Sequence, residues 1–358
     1  MPPRGGGDVD PGDAHPSPRS PATGGTTSAP DGPRRLRLKP VPPYDFELSV
    51  AIFSRGDPRF RSVEGGVFRQ AVRLGGSNAL LFVRSEGTVE SPLLEAEVRA
   101  PYVLSRSQLE KARGLVTRVL NLNMDLEPFY RQVRGDPLMS GLARRLHGLK
   151  SPATPTVFEA LVDSIIEQQI SLAAALSMQS RLIRKYGEPV TADGESCYLY
   201  PTPGRLASAT PAGLRSCGLS ARKSEYVRDA ASMVSSGELD LDRFESYEDV
   251  DRIRDELKAV RGVGDWTAEM TMLRGLGRMD SLPAGDVGIQ AKMTYYYGRE
   301  ERVTAGDLRR AAESWGSYRG LGAFYLIMAH HVGLGPAEPR PRGAPSTNDS
   351  AGFPGKES

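Results

Sequence analysis

The chain has 358 residues, which is long enough to bury a sizeable core and to form two or three domains. Its 46 basic and 44 acidic side chains nearly cancel and leave a formal net charge of +2 at pH 7. This balance excludes a strongly basic coat for nucleic acid, so an anionic partner must be held by a local basic face or by backbone amide groups.

Cysteine spacing and hydropathy exclude further classes. Cys197 and Cys217 form no C-x-x-C pair, and the four histidines have no ligand-like spacing. We therefore predict no structural zinc, no iron–sulfur cluster and no other cofactor. No signal-peptide core opens the sequence, and no apolar run approaches the roughly 20 residues needed to cross a bilayer. A soluble intracellular protein with two buried or incidental thiols is expected.

Two terminal segments, residues 1–38 and 336–358, are predicted to be disordered. Both are rich in Pro, Gly, Ser and Thr and carry few large apolar side chains, so burial cannot offset the entropy of ordering them. The "RRLRLK" cluster at residues 34–39 either contacts DNA or is a solvated run of charge.

Residues 39–105 are predicted to form a small antiparallel β-sheet domain. Four runs alternate apolar and polar side chains between Gly, Asp and Ser breaks, as expected for a sheet with one buried face. They are "FELSVAIF", "VFRQAVRL", "ALLFVRSE" and "LLEAEVRA".

Residues 106–335 are predicted to form an almost wholly helical body, so the expected fold class is α+β. Apolar side chains recur at helical spacing in seven segments, residues 107–122, 156–168, 171–187, 246–260, 287–298, 304–315 and 319–333. Ser171 is a plausible N-cap, and Ser246 with Asp249 has the spacing of a capping box.

A glycine hairpin joins the segment 246–260 to a further predicted helix, "WTAEMTMLRGLG", in a helix–hairpin–helix arrangement at about residues 247–275. Gly262, Val263 and Gly264 in "RGVG" leave main-chain amides uncovered, and Asp265 or Thr267 is expected to cap the next helix. Hairpin and helix N-terminus together suit a phosphate oxygen. A lone G-x-G is weak support, because glycine often merely ends a helix.

One carboxylate, Asp286, follows the hairpin at a distance of 22 residues, between "LPAG" and a predicted helix in the segment 282–298. Asp in this place is an ordinary N-cap. The N-terminus of a helix also keeps a carboxylate ionised, so capping and chemistry are compatible.

The segment "VRGVGDWTAEMTMLRGLGRMDSLPAGDVGIQ" resembles the signature of the helix–hairpin–helix DNA glycosylases, most closely the 3-methyladenine DNA glycosylase II (AlkA-type) branch. The likeness extends through "FEALVDSIIEQQISLAAALSMQSRLIRKYG" and "SWGSYRGLGAFYLIMAHH", and covers residues from about 40 to 334. The resemblance implies a mainly helical body with a helix–hairpin–helix motif and a small N-terminal antiparallel sheet.

The resemblance also implies residue roles. Asp286 becomes the catalytic carboxylate, and the hairpin at Gly262 and Gly264 becomes the phosphate anchor, whose carbonyls in such proteins often hold a monovalent cation. Members that cut the strand have a lysine where this chain has Trp266, so no Schiff base can form there. This implies a monofunctional glycosylase, with Trp266 either lining the base pocket or serving as a core aromatic.

The remaining implied roles are less direct. Gln169, with Gln168 beside it, occupies the position of the wedge that fills the gap left by a flipped base, unless both only satisfy a helix end. Met270 and Ile327 occupy base-pocket positions where relatives often have aromatic residues, or they are plain core. Lys223 and Tyr226 either contact DNA or brace a helix. Arg274 and Lys292 flank the hairpin and the acid, and each either contacts a phosphate or is a solvated surface charge.

The implied partner is double-stranded DNA with damaged bases, bound by a monomer in the cytoplasm at the nucleoid, or in a nucleus. Release of alkylated purines such as 3-methyladenine and 7-methylguanine is the leading hypothesis. Three alternatives stay open: a glycosylase for deaminated bases, a glycosylase-lyase for oxidised bases with Lys292 as nucleophile, and a non-catalytic DNA-binding module.

Overall fold

A computed structural model of the protein describes residues 34–336. Its N-terminal part is a five-stranded antiparallel sheet with the order β1-β5-β4-β3-β2. The strands are β1 (Arg34–Leu38), β2 (Arg61–Glu64), β3 (Val67–Arg73), β4 (Asn78–Ser85) and β5 (Leu94–Arg99). Phe68, Val83 and Ala96 are buried at neighbouring register positions on one face. The predicted small antiparallel sheet is confirmed.

The predicted end of the N-terminal tail at residue 38 is wrong, because Arg34–Leu38 is strand β1. This edge strand pairs with β5 and buries Leu36 and Leu38, while Arg35 and Arg37 are exposed. The alternation of Arg and Leu therefore carries a period-two strand signal. Residues 1–33 and 337–358 of the two predicted tails lie outside the described residues.

One predicted strand, "FELSVAIF", is wrong. Residues Phe46–Val50 form helix α1, and Ala51–Arg55 form a 3₁₀ helix. Asp45 caps α1 by accepting a hydrogen bond from the backbone N–H of Leu48 at 2.9 Å. The buried residues Phe46, Ser49 and Val50 follow helical rather than alternating spacing. The other three predicted strands correspond to β3, β4 and β5.

A hairpin of two short strands, β6 (Pro189–Ala192) and β7 (Glu195–Tyr198), interrupts the region predicted as helical. Asp193 and Gly194 at its turn have φ angles of 51° and 80°. An Asp-Gly pair between short apolar runs is a hairpin signal, so the sequence did contain the information. The hairpin buries Val190 and Cys197 against the sheet.

The remaining helices form the body. They are α2 (Arg106–Val119), α3 (Glu127–Gln132), α4 (Pro137–Arg145), α5 (Val157–Glu167), α6 (Leu172–Tyr186), α7 (Pro203–Ala207), α8 (Pro211–Arg215), α9 (Ala221–Ser236), α10 (Val250–Lys258), α11 (Asp265–Leu276), α12 (Val287–Tyr296), α13 (Ala305–Ala311) and α14 (Arg319–His331), with 3₁₀ helices at Val133–Gly135, Asp242–Ser246 and Ala312–Tyr318. The mainly helical α+β fold class is therefore as predicted. Within the described range, the helices are all too short or too polar to span a membrane.

Helices α5 and α11 pack closely at the centre of the body. A Cβ on Gly275 would lie 2.9 Å from the Cβ of Ala160, so only glycine permits this approach. Met272 on α11 belongs to one hydrophobic core, built around α5, while Leu273 belongs to a second core, built around α14. Because α11 is shared between the two cores, the residues at its N-terminus are held rigidly between them.

Candidate active site

The hairpin between α10 and α11 depends on one glycine for its shape. Gly262 has a φ of +86°, and a Cβ there would overlap the ring of Tyr226 on α9. Gly264 is different: it has a φ of −101°, and a Cβ would meet nothing within 4 Å. Val263 between them is buried in the core. Only Gly262 therefore needs the conformational freedom predicted for both glycines.

The expected side-chain caps of α10 and α11 are wrong. Gly264 itself is the N-cap of α11 and has no side chain to offer. Asp265 instead pairs with Lys258, and the Thr267 hydroxyl accepts a hydrogen bond from Gln168. Asp249 caps α10 directly, without the capping box predicted at residue 246. The first-turn amides of α11 consequently have no side-chain acceptor and remain for an anionic ligand.

Asp286 is the N-cap of α12, as expected. Its Oδ1 accepts hydrogen bonds from the backbone N–H groups of Gly288 at 2.8 Å and Ile289 at 2.9 Å. Its Oδ2 accepts a hydrogen bond from Nε1 of Trp266 at 3.0 Å. These three hydrogen bonds hold the carboxylate in one orientation at the positive end of α12.

Trp266 reaches Asp286 from the first turn of α11 and is half-buried. Met270 lies one turn further along the same face of α11 and is buried. Ile327 on α14 is half-buried and packs against the second core. The structure thus joins Trp266 directly to Asp286, whereas base-pocket roles for Met270 and Ile327 stay predictions.

The break between α5 and α6 is a tight, well-braced turn. Lys223 on α9 donates hydrogen bonds from Nζ to the carbonyls of Ile166 and Gln168, both at 2.7 Å. Gln168 donates from Nε2 to the Gly262 carbonyl and to Thr267, each at 2.9 Å. Of the two roles left open for Lys223, bracing a helix end is the one that these contacts support.

Gln169 at the tip of this turn is exposed and has a φ of +55°. Asn121 and Asp193 are the other non-glycine residues with positive φ in the described range, and their short polar side chains tolerate that conformation. A glutamine there is unusual and carries backbone strain. Of the two glutamines, Gln168 forms hydrogen bonds within the protein, whereas Gln169 is exposed.

Arg274 is partly exposed and is already paired with a carboxylate, so its assignment to a phosphate stays a prediction. Its Nη1 donates hydrogen bonds to both carboxylate oxygens of Glu167, at 2.7 and 2.6 Å. Helical side chains lean toward the N-terminus, so Arg274 lies along α11 against α5. Lys292 lies on the same side of Gly288 as Asp286: its Nζ and Asp286 Oδ1 would lie 3.9 and 3.0 Å from a Cβ on Gly288.

The hairpin carbonyls suit a monovalent cation only in part. The Gly262 carbonyl already accepts a hydrogen bond from Gln168, and the Val260 carbonyl accepts one from the backbone N–H of Val263 at 3.0 Å. Among residues 34–336, no group of three or more His, Cys, Asp or Glu side chains is arranged to hold a metal ion. Each of these carbonyl oxygens keeps a second lone pair, so the monovalent cation implied by the resemblance stays a prediction.

Sequence reasoning missed Glu269, a buried acid on α11. Burial raises its pKa to about 7, and Arg309 on α13, 3.5 Å away, only partly opposes that effect. Its second oxygen is buried and has no hydrogen-bond partner. The one sequence signal for Glu269 is its position three residues after Trp266.

Replacing Glu269 with glutamine is expected to stabilise the protein at pH 8 but not at pH 5. The folded-state pKa of about 7 exceeds the ordinary value of 4.5, so wild type loses stability as pH rises through that window. The free energy of unfolding of the variant should exceed that of wild type by about 1–3 kcal/mol at pH 8. Urea unfolding of both proteins at pH 5 and pH 8 measures these free energies. The same difference between variant and wild type at both pH values would contradict the prediction.

Comparison with known proteins shows the family of the chain. Residues 162–317 match the model of the HhH-GPD superfamily base excision DNA repair protein family. The chain is 30% identical over 206 residues to the DNA-3-methyladenine glycosylase of Bacillus subtilis, covering 58% of this chain and 68% of that protein. It is 28% identical over 238 residues to DNA-3-methyladenine glycosylase 2 of Escherichia coli, covering 60% and 80% of the two chains.

Among solved structures, the 3-methyladenine DNA-glycosylase of Archaeoglobus fulgidus superposes with a TM-score of 0.73 at 26% identity. The superposition covers 84% of this chain and 99% of that one, so it includes the N-terminal sheet as well as the helical body. The chain belongs to the HhH-GPD superfamily of base excision DNA repair proteins.

Proposed function

We propose that the protein is a monofunctional DNA glycosylase that removes alkylated purines, such as 3-methyladenine and 7-methylguanine, and leaves an abasic site. The observation that carries this proposal is the single carboxylate Asp286, held by Trp266 and by two backbone amides beside the hairpin. Relatives named 3-methyladenine glycosylases support the substrate class.

The hairpin binds the phosphate backbone of the DNA. The amides around Gly264 and at the start of α11 have no side-chain cap, and the helix dipole favours a phosphate there. Such contacts hold DNA without reading its sequence, as a repair enzyme that surveys a genome requires. A chain with a net charge of only +2 depends on this kind of local contact. We propose that one monomer binds one duplex site.

The damaged base must leave the duplex before the sugar can reach Asp286. Extrusion costs a few kcal/mol, and a side chain that fills the gap offsets part of this cost. Gln169 suits this role because it is exposed and because its strained turn is fixed by Lys223 and Gln168. A strained backbone conformation persists where the surrounding contacts hold the residue in place. Such strained residues are common at functional sites.

Replacing Gln169 with glycine is expected to slow base release from duplex DNA about tenfold, while release from single-stranded DNA changes little, because only a duplex leaves a gap to fill. The free energy of unfolding should stay within about 0.5 kcal/mol of wild type, since relief of the positive φ offsets the added chain entropy. Asp193→Gly is the matched control, because its φ is 51° at a hairpin remote from α5. Equal slowing on both substrates would contradict the wedge role.

Chemistry at the sugar needs only one acid. A 3- or 7-alkylated purine carries positive charge, so when the C1′–N bond breaks, the base leaves with the electron pair as a neutral molecule. The sugar becomes oxocarbenium-like and then adds water at C1′, which loses a proton. The ionised Asp286 stabilises the cation and orients the water. Glycoside hydrolases acting on neutral leaving groups generally need a second carboxyl group.

The identity of residue 266 favours the monofunctional route. An indole cannot attack C1′ as an amine would, and Nε1 of Trp266 is already committed to Asp286. The electron-rich face of the ring suits a cationic purine. Lys292 is the alternative nucleophile for a lyase, since it lies near Asp286, but its amine leans toward the carbonyl of Gly288 at 3.4 Å.

The test uses purified protein and methylated duplex DNA. We expect free 3-methyladenine or 7-methylguanine by chromatography, no strand breaks until alkali is added, and no covalent complex after borohydride treatment. A borohydride-trapped complex that disappears in Lys292→Ala would establish the lyase. No release from a panel of alkylated, deaminated and oxidised bases, with DNA binding retained, would make the protein a binding module.

A further inference from the structure

Two stretches of the chain carry basic side chains without any acidic ones. Residues 168–187 run from the turn after α5 to the end of α6, and residues 199–224 contain α7, α8 and the start of α9. Neither stretch contains Asp or Glu, although the whole chain has 44 acidic side chains among its 358 residues. Their basic residues are Arg181, Arg184, Lys185, Arg205, Arg215, Arg222 and Lys223. These stretches therefore carry a local excess of positive charge in a chain that is nearly neutral overall.

Hydrogen bonds bring the two stretches together. Nε of Arg181 donates to the carbonyl of Cys217 at 2.8 Å. Nζ of Lys185 donates to the carbonyl of Gly213 at 3.1 Å and to the hydroxyl of Ser216 at 2.6 Å. Arg181 and Lys185 lie one turn apart on α6, so their side chains share one face of that helix. Both are exposed, and both are held against α8 and the loop that follows it.

The oxygens that hold these two side chains are neutral. They belong to carbonyl groups and to hydroxyl groups, including that of Ser177, which accepts from Nη1 of Arg181 at 2.9 Å. Arg184 on the same helix differs, because its Nη2 lies 2.6 Å from the Asp57 carboxylate. Neutral acceptors order the side chains of Arg181 and Lys185 without cancelling their charge, so both cations are preorganised for an anionic ligand.

Arg215 and Arg222 add to this positive charge. Arg215 ends α8, Arg222 lies in the first turn of α9, and both are exposed. Within residues 34–336, neither guanidinium pairs with a carboxylate. Arg222 is followed by Lys223, which braces the turn before α6. The positive surface therefore borders the turn that carries the proposed wedge.

We propose that a basic face binds the phosphate backbone of duplex DNA on one side of the flipped nucleotide. This basic face consists of Arg181, Lys185, Arg215 and Arg222. The proposal rests on the proposed function and extends its DNA site past the hairpin. At about 1.5 Å per residue, Arg181 and Lys185 lie about 14 and 20 Å along α6 from its first residue. B-DNA rises about 3.4 Å per base pair, so the face reaches phosphates about four to six base pairs from the wedge.

The composition of the basic face favours a phosphate backbone over a protein partner. Between its two C-terminal arginines, the exposed residues are small: Ser216, Gly218, Ser220 and Ala221. Protein interfaces have an apolar centre, whereas phosphate contacts need only cations and hydrogen-bond donors. Contacts of this kind hold DNA without reading its sequence, as the hairpin contacts do.

The first test measures the affinity for a duplex with an abasic-site analogue as a function of salt concentration. The main variant combines Arg215→Gln with Arg222→Gln. Neither side chain has a carboxylate partner in the part of the chain that the structure describes, so folding should be unaffected. At about 0.1 M salt, the Kd should rise about tenfold to a hundredfold, and the slope of log Kd against log salt concentration should become shallower by about 2.

A second variant and a control lie on α6. Arg181→Gln combined with Lys185→Gln should weaken binding in the same way, with a small loss of stability from the broken hydrogen bonds. Arg184→Gln is the matched control, because Asp57 already neutralises that guanidinium, and it should leave the Kd and the salt slope unchanged. Wild-type affinity and salt slope in both double variants would overturn the proposal.

The second test locates the contact on the DNA. Two shortened duplexes keep only about three base pairs on one side or on the other side of the abasic-site analogue, which is less than the reach of the basic face. On one of them, wild type should lose affinity and the double variants should bind as wild type does. On the other, the variants should keep their full defect. An equal defect on both shortened duplexes would indicate a general effect of charge and would overturn the proposal.

Base release by wild type decides the proposed function separately. If wild type binds the duplex but releases no base, while the double variants lose affinity as described, the proposed function fails and the basic face stands. If wild type releases alkylated purines and the double variants bind as tightly as wild type, the proposed function stands and the basic face is refuted.

Discussion

Asp286→Asn is expected to lower the single-turnover rate of base release by about a hundredfold to a thousandfold, the range seen when one electrostatic group is removed from an active site. The rate falls because the variant lacks the negative charge of the carboxylate. Asparagine has the same shape and keeps the hydrogen bonds to Gly288 and Ile289, but it does not stabilise a cationic sugar. Release of 3-methyladenine from methylated duplex DNA in enzyme excess measures this rate directly.

Stability and binding provide the controls for that variant. Asparagine keeps the cap of α12 but turns its amide group toward Nε1 of Trp266, so Asp286→Asn should lose only that hydrogen bond, whereas Asp286→Ala should also lose about 1 kcal/mol with the cap. Affinity for a duplex with an abasic-site analogue should be largely retained, because the hairpin supplies the grip. Release at the wild-type rate would exclude Asp286 as the catalytic carboxylate.

Gly262→Ala is expected to destabilise the protein by about 3 kcal/mol and to weaken DNA binding. Two penalties add. A non-glycine residue at a φ of +86° costs about 1–2 kcal/mol, and the new methyl group must displace the ring of Tyr226. Urea unfolding gives the free energy, and titration of an abasic-analogue duplex gives the affinity.

Two other glycines separate these penalties. Gly277 has a φ of +66° with nothing within 4 Å of its Cβ position, so Gly277→Ala shows the cost of backbone conformation alone. Gly264 has an ordinary φ and equally open space, so Gly264→Ala should change stability by less than about 0.5 kcal/mol. In a Tyr226→Ala background, the cost of Gly262→Ala should fall toward that of Gly277→Ala. If Gly262→Ala never costs more than Gly277→Ala, packing of Tyr226 on the hairpin is not what requires glycine.

Local signals were sufficient for the fold class and for the centre of the site. Amphipathic periods predicted the main helices, because a 3.6-residue repeat and a capping residue such as Ser171 act within one or two turns. Asp286 was recognisable for the same reason, since capping by an aspartate depends only on the residues that follow it. The resemblance over residues 259–290 then assigned it a chemical role.

The errors fall where residues far apart in sequence decide the outcome. Periodicity could not exclude a strand at 46–53, because a helix of only five residues, Phe46–Val50, is too short to separate periods of 2 and 3.6. Gly262 and Gly264 look alike in "RGVG", but in the folded chain only Gly262 has a positive φ and lies against the ring of Tyr226, packed from α9.

Charged residues show most clearly the difference between what the sequence predicts and what tertiary packing decides. A basic residue beside a DNA-binding motif suggests a phosphate contact, but the partner of Arg274 is Glu167, which lies 107 residues earlier and meets it only because α5 packs on α11. The strained Gln169 and its brace from Lys223 likewise depend on the approach of α9 to the end of α5. Composition and spacing specify which charges a chain carries, whereas packing specifies which of them are buried together, and burial sets how strongly they interact.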